Sequence, residues 1–539
     1  MNLNFKRLSA LLLALAMLLC CTACGSGGSE KAEINLQSTG GKDIVRAAAA
    51  DNVFSLNYIS NYSLNPIIAT NHANQLVCSL VYENMVEVDN DFNVIPNVIS
   101  SWAPNEDGTM WTFTIDMEEG HTFHDGTPVT GKDLRYSLEK AITSDRFKGR
   151  FASFQGASYT NDTLYVSLGI GDMQLPKLMN IPIIKYGTYP DKRPIGSGPY
   201  AFNEEGTELH AYEGYHNYES LPVDVVYLKE YSTADGTISA FEDSYIDVVI
   251  NDPSSYTNLG YASTNEIHTF ATTNMHYVMF NEETALGRQS YFRYAMQFAF
   301  DRARLVELLG GNAVSSSIPL YPTVSFYPEE LAKTLNYNLD MCKQILENVG
   351  IKDYDEDGWL EYMSGTPQDI DLTFIVSSDS SAKNGVVNKF AEDMASIGIK
   401  VTVRALTWEE YTTALKEGKM ADGTAWDMYY GEIKLRNNFD LTELLQMKNK
   451  DNENTNLNFS GSRDMAVEMY LNQYLGAGDS SRATAYRQLC DHITTTTASL
   501  ITIGFEKQQI ITHRGVVKGV DANIGNPLYG FDKWQIFLD

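Results

Sequence analysis

Stretches with the spacing of strands and of helices alternate along this chain, and this alternation constrains its fold more than any other feature. Residues 111–116 alternate apolar and polar side chains like a half-buried strand, and residues 132–141 have helical spacing. The same patterns predict further elements: helices at 290–309, 339–349 and 388–397, and strands at 372–376 and 400–403. The alternation favours α/β lobes over an all-α or all-β fold.

The N-terminus has the pattern of a bacterial export signal. Lys6 and Arg7 precede an apolar run over residues 8–19, and small residues follow. The run is shorter than the roughly 20 residues that span a bilayer, so we expect residues 1–23 to be a signal peptide that is cleaved.

Cys24 is the predicted first residue of the mature chain. Its neighbours Thr22, Ala23 and Gly25 resemble a lipobox, which implies a lipid on the Cys24 thiol and anchoring at the outer face of the cell membrane; Cys20 and Cys21 are the alternatives. Residues 24–50 are polar and rich in Gly and Ser near Cys24, and we expect a flexible tether.

Composition limits the remaining body. A chain of 539 residues that is 43% hydrophobic predicts a large core and more than one lobe. Its net charge of -29 disfavours nucleic acid and anionic lipid headgroups as partners. After Cys24, only Cys78, Cys342 and Cys490 remain, at wide spacing. We expect buried, unbridged thiols, although a bridge within one pair stays open.

An ordered set of motifs runs through residues 55–530. The motifs are Val81-Tyr-Glu-Asn-Met85, Phe123-His-Asp-Gly-Thr-Pro-Val-Thr130, Gly196-Ser-Gly-Pro-Tyr200, Phe292-Arg293 with Asp301-Arg302, and Trp408-Glu-Glu-Tyr411. Together they resemble the extracellular solute-binding proteins of bacterial importers for oligopeptides, dipeptides and nickel. The resemblance implies a two-lobed α/β clamp of the periplasmic-binding-protein type II class, with an extra subdomain inserted in the first lobe.

The resemblance also implies a domain arrangement and a function. The expected boundaries are 51–68, 182–272 and 505–539 for lobe I, 69–181 for the inserted subdomain, and 273–504 for lobe II. Such a clamp closes on a solute because the solute stabilises the closed form. The expected partners are the solute, most simply a short peptide, and the permease and ATPase of an ABC transporter, with the binding protein itself a monomer.

Residues of the matching segments are the expected ligand-binding set: Thr70, His72, Tyr277, Trp408, Tyr430, Glu432 and Arg436. Peptide-binding relatives commonly carry an aspartate near the position of Arg436, and it pairs with the peptide ammonium. A cation there repels an ammonium group. Glu432 or Asp440 is then the substitute partner, or the ligand is an anionic, zwitterionic or sugar-like solute or a metal complex. A receptor that presents its solute to a membrane sensor has the same architecture and stays an alternative.

Metal sites and catalytic sites are not predicted. His121 and His124 are close in sequence, but they belong to a motif that is structural in the family. The acidic run 353–358 begins like a calcium loop, yet Ser364 stands where that loop needs a glutamate. The nucleophile, zinc-protease and phosphate-loop motifs of enzymes are missing from the sequence. We therefore expect a binding protein without cofactor or metal, and not an enzyme.

Overall fold

In the computed structural model of this chain, residues 52–253, 265–450, 452 and 455–538 are described. The predicted signal peptide, Cys24 and the tether lie outside these residues.

The strands are β1 Phe54–Tyr58, β2 Val86–Val88, β3 Val94–Pro96, β4 Ile99–Pro104, β5 Met110–Ile115, β6 Phe154–Tyr159, β7 Thr163–Leu168, β8 Tyr200–Phe202, β9 Glu208–Ala211, β10 Val225–Glu230, β11 Val248–Asn251, β12 Asn265–Phe280, β13 Ala313–Ser315, β14 Glu361–Ser364, β15 Thr366–Asp369, β16 Asp371–Ser377, β17 Lys400–Leu406, β18 Met428–Lys434, β19 Leu500–His513, β20 Val517–Lys518 and β21 Gln535–Ile536. The α-helices are α1 His72–Val81, α2 Gly131–Ala141, α3 Ala234–Glu242, α4 Ser290–Met296, α5 Ala303–Leu308, α6 Glu329–Thr334, α7 Leu339–Asn348, α8 Ser381–Ser396, α9 Trp408–Glu417, α10 Thr442–Leu445, α11 Met465–Leu475 and α12 Asp479–Asp491.

Two long strands, β12 and β19, join the two halves of a large mixed sheet. The strand order is β17-β16-β18-β12-β19-β11-β1-β10-β9-β8, with β13 added on β19. The antiparallel pairing of β12 with β19 has a register shift between Ala271 and Met275 and another at His276 and Tyr277. The predicted lobe boundary at 272/273 coincides with the first irregularity, and it stays a prediction.

A second sheet, of order β4-β5-β7-β6, is packed with α2 and lies within the predicted insertion 69–181. Thr130 and Asp133 form a capping box at the start of α2, because each side chain bonds the backbone of the other. The helix α1 also falls in the predicted insertion, but it packs on β1, β8 and β11 of the large sheet.

Strand β16, in the second half of the chain, carries buried apolar residues on both of its faces. Along β16, Leu372, Phe374 and Val376 belong to one apolar cluster, while Ile375 faces a different one. Successive side chains of a strand point to opposite faces, so β16 is covered on both sides. The predicted alternation is confirmed there, because α8 and β17 follow β16 as expected.

The helix predicted over 290–309 is interrupted. The structure has α4 and α5, with a tighter turn over 297–299 between them. The buried guanidinium of Arg302 donates to the carbonyl of Gln297 in the interruption and to those of Leu335 and Thr502 in distant segments. Helical spacing alone does not reveal these hydrogen bonds of Arg302.

The three cysteines after Cys24 are buried and unbridged, as predicted. Burial raises the pKa of Cys78 to about 12, so its thiol is protonated at neutral pH. Within the described ranges, no helix combines the length and the apolar character needed to cross a bilayer.

Candidate functional site

A cavity of about 480 Å³ opens where α1, the turn after α2 and the long strands meet. Its floor is one face of β12, since Phe270, Thr272 and Asn274 recur at the two-residue period of a strand. Lys434 on β18 is paired in register with Asn274, and Gln508 on β19 lies beside Phe270. The cavity therefore lies at the strands that connect the two halves of the large sheet.

One wall of the cavity is a face of α1. His72, Gln75, Ser79 and Tyr82 line it at helical spacing, with Tyr82 at the helix end. The helix begins there because the Asn71 side chain accepts the backbone N–H of Asn74, which satisfies an otherwise open donor.

The opposite wall carries two arginines. Arg146 Nη1 donates to the carbonyl of Pro66 at 2.6 Å, and Arg150 Nη1 donates to Asn180 Oδ1 at 2.5 Å. Both guanidinium groups lie against the ring of Phe147, with 4.9 Å and 4.8 Å from the guanidinium carbons to the ring centre. These contacts hold the two arginines in place and leave their other N–H groups without a partner among the described residues.

The cavity lining carries both signs of charge, with Arg146, Arg150, Lys434 and Arg436 against Asp145, Asp252 and Glu443. Arg146, Arg150 and Lys434 form no ion pair within the described part of the chain. Burial, and then the charges of Arg150 and Arg146, lower the pKa of Lys434 to about 8 against the opposing effect of Asp252. The pKa of His72 is also lowered, first by burial and then by Lys434 and Arg146, so His72 is mostly neutral at pH 7. Like charges collected here favour an anionic group in the cavity.

Arg436 lines the same cavity but is already paired. Its Nη1 lies 2.7 Å from Asp440 Oδ2 and its Nη2 lies 2.6 Å from Glu443 Oε1. Asp440 is thus engaged, and Glu432 is engaged with Lys383 Nζ at 2.8 Å. The two carboxylates that the sequence suggested for a ligand ammonium both have cation partners.

The structure brings only two of the predicted site residues, His72 and Arg436, to the cavity. Tyr277 and Tyr430 are buried in apolar clusters, and the Tyr430 hydroxyl lies 2.9 Å from His276 Nδ1. Thr70 is exposed just before α1, and Trp408 is 62% exposed at the start of α9. Ligand roles for these four residues and for Glu432 stay predictions.

Sequence reasoning missed Arg146, Arg150 and Asp252. A signal existed for the first two, because three basic residues lie within 146–150 of a chain whose net charge is -29. Their approach to Lys434 depends on tertiary structure and has no local signature.

The fold is that of the two-lobed periplasmic binding proteins of type II, as the sequence predicted. The profile of the bacterial extracellular solute-binding proteins, family 5, matches residues 93–455, and this chain belongs to that family. The family consists of solute-binding transport proteins; that this chain has no catalytic activity stays a prediction.

Relatives share the family at low identity. The chain is 22% identical to the oligopeptide-binding protein AppA of Bacillus subtilis over 424 residues, covering 74% of this chain and 75% of AppA. It is 22% identical to heme-binding protein A of Haemophilus influenzae over 451 residues, covering 76% of this chain and 78% of that protein. Among solved structures, the unliganded open form of the murein tripeptide binding protein MppA has a TM-score of 0.70 at 17% identity, covering 91% of this chain and 99% of MppA. The likeness to MppA shows the fold.

Proposed function

We propose that this protein captures a short peptide outside the cell and delivers it to the permease of an ABC transporter, and that the cationic cavity binds the peptide's C-terminal carboxylate. The observation that carries this proposal is the group of three cations, Arg146, Arg150 and Lys434, which share one cavity without a carboxylate partner among the described residues.

A carboxylate suits this group chemically. Arginine presents paired N–H donors that match a planar carboxylate, and hydrogen bonds between charged partners are stronger than neutral ones. Binding an anion also offsets the burial and the mutual repulsion that together lower the pKa of Lys434. The same contacts draw the surrounding segments together, which is the differential interaction that lobe closure requires.

The opposite end of a peptide needs an acidic partner. Asp252 lines the cavity and influences both His72 and Lys434 electrostatically. We assign the ligand ammonium to Asp252, because its side chain lines the cavity and those of Glu432 and Asp440 do not. A cavity of about 480 Å³ lies within the range that small ligands occupy, roughly 300 to 1,000 Å³.

The relatives support peptide as the solute class, since AppA is named for oligopeptides and MppA for a murein tripeptide. The cationic lining equally favours a second candidate, a non-peptide anionic solute.

We also propose that the chain is a monomer anchored to the cell membrane through a lipid on Cys24, for which the lipobox-like sequence is the support. Replacing Cys24 with serine should release the protein from membranes; persistent membrane association of Cys24→Ser would contradict the anchor.

Calorimetry on the full chain in detergent tests the ligand. Dipeptides and tripeptides with a free C-terminus should bind at least tenfold more tightly than their amidated forms, because a hydrogen bond to a charged group contributes about 1.5–3 kcal/mol. Lys434→Gln should remove most of this preference, whereas Lys416→Gln, an exposed lysine on α9, should leave it intact.

The possible outcomes separate the candidates. Equal affinity for free and amidated peptides would overturn the carboxylate assignment. Binding of dicarboxylates or phosphate esters without binding of peptides would show that the solute is a non-peptide anion. The role of the cationic cavity would then be kept.

A further inference from the structure

Glu83, His121 and His216 form a cluster outside the residues that line the ligand cavity. His121 Nδ1 is 3.0 Å from Glu83 Oε1, and His216 Nδ1 is 3.9 Å from the same oxygen. The two imidazole rings are 4.9 Å apart, and Glu119 Oε2 reaches His121 Nε2 at 3.3 Å. One ligand atom from each of the three residues falls within 4.8 Å of the others.

The second oxygen of Glu83 marks an unfilled position. Glu83 is 7% exposed, and its Oε2 is buried without a hydrogen-bond partner among the described residues. A buried carboxylate oxygen without a partner is costly, and a cation beside it removes that cost. His216 is exposed, so an ion has access to the cluster from solvent.

We propose that Glu83, His121 and His216 form a binding site for one divalent transition-metal ion, with Zn²⁺ as the best match, separate from the ligand cavity. Two imidazoles and a carboxylate are ligands that zinc accepts, with a fourth position left for water. Glu119, on the other ring nitrogen of His121, orients that imidazole. Ligand atoms around a tetrahedral zinc ion are about 3.3 Å apart, given bonds of roughly 2.0–2.1 Å. The observed separations of 3.0 Å and 3.9 Å lie on either side of that value.

A comparison within the molecule supports the choice. His276, Glu432 and Glu506 also cluster. Lys383 Nζ lies 2.8 Å from Glu432, so an ammonium group already occupies the cationic position. At Glu83, no lysine or arginine forms an ion pair within the described residues.

The segment 82–84 connects this site to the ligand cavity. It runs antiparallel to residues 182–183, since Ile183 N donates to Glu83 O and Asn84 forms an isolated bridge with Pro182. Tyr82 and Asn84 line the cavity while Glu83 joins the histidines, as alternation along an extended segment requires. Gly198 packs beneath this segment so closely that an added Cβ would lie 2.5 Å from the carbonyl carbon of Val81. A bound ion therefore stabilises one wall of the cavity.

Cobalt spectroscopy and zinc calorimetry test the proposal on the full chain, purified without a histidine tag. We expect one equivalent of Co²⁺ to give the strong visible absorption of tetrahedral coordination, and one equivalent of Zn²⁺ to displace it. His216→Gln should abolish the spectrum and weaken Zn²⁺ binding at least tenfold. Because His216 is exposed, this variant should fold even if His121→Asn does not.

His210→Gln is the matched control. His210 lies 2.8 Å from Glu208 in an exposed pair that lacks a third ligand, so this variant should bind both ions normally.

An unchanged Co²⁺ spectrum in His216→Gln would overturn the site. Loss of metal binding in Lys434→Gln would also overturn it, since the ion would then occupy the ligand cavity.

Discussion

Arg436 and Asp440 form an ion pair whose closest atoms, Nη1 and Oδ2, are 2.7 Å apart. From the sequence, Arg436 is the cation that argues against a ligand ammonium. In the structure its charge is offset by Asp440 and Glu443, and the unpaired cations of the cavity are Arg146, Arg150 and Lys434 among the described residues.

The Arg436–Asp440 pair should matter for stability. Only 4% of the Asp440 side chain is exposed, so Arg436→Met leaves a buried carboxylate without its main cation. We expect the free energy of unfolding to fall by about 3 kcal/mol, as for other buried pairs that lose one partner. Urea denaturation measures it. Arg135→Met, in an exposed pair with Glu139, should cost less than about 1 kcal/mol; equal losses in the two variants would contradict the argument.

Lys434 should make ligand binding depend on pH. Its pKa of about 8 means that the ammonium is charged at pH 7 and largely neutral at pH 9.5. Affinity for a peptide carboxylate should therefore fall several-fold over this range, and Lys434→Gln should show a flatter profile. The stability of the unliganded protein should change with pH in the opposite direction to the ligand affinity. Between pH 8 and the ordinary lysine pKa, the unfolded chain binds more protons at Lys434 than the folded protein does, so the contribution of Lys434 to the free energy of unfolding rises with pH. An affinity that is constant from pH 7 to 9.5 would contradict the assignment.

Glu87 should make the folded protein less stable at neutral pH than at mildly acidic pH. Burial raises the pKa of Glu87 from 4.5 to about 7, although Asn526 and Asn84 donate to it. Between these values the folded state binds more protons than the unfolded state, so this contribution to stability falls as pH rises from 4.5 to 7. Glu87→Gln keeps an acceptor for both asparagines and cannot ionise; at pH 8 it should be more stable than the wild type by at most about 3 kcal/mol.

Thermal unfolding at pH 5 and at pH 8 measures this effect. Glu213→Gln, at an exposed position, is the control for the loss of a negative charge. A Glu87→Gln variant with the same pH dependence as the wild type would show that Glu87 is ionised throughout.

Trp408 provides a test of lobe closure. Its side chain is 62% exposed at the start of α9, and its ring is 6.0 Å from that of Tyr411. If closure buries this ring on the ligand, Trp408→Ala should weaken binding at least tenfold while changing the free energy of unfolding by less than about 0.5 kcal/mol. Met465→Ala, at a 76% exposed position, should change neither quantity. An unaltered ligand affinity in Trp408→Ala would remove Trp408 from the predicted binding set.

Local patterns predicted many of the secondary-structure elements. The strand β5 and the helix α2 lie within one residue of their predicted positions, because apolar spacing and the Thr130 cap act over a few residues. The interruption between α4 and α5 was not predictable in this way. It depends on Arg302 reaching carbonyls that are distant in sequence, including that of Thr502.

The residues that line the cavity were likewise predicted only in part, because their proximity depends on contacts between segments distant in sequence. His72 and Arg436 were found from motifs, and both line it. Arg150 and Lys434 are 284 positions apart, and folding brings them close enough for each other's charge to matter.

Apolar periodicity predicted the α/β class, ordered motifs predicted the family, and the lack of a pairing pattern predicted unbridged, buried cysteines. Tertiary structure alone decided which charges remain available. Arg436 and Lys434 are two residues apart, yet one is paired with carboxylates and the other faces the cavity with two arginines. Electrostatic interactions depend on distance in space and on burial, and neither quantity is contained in local sequence.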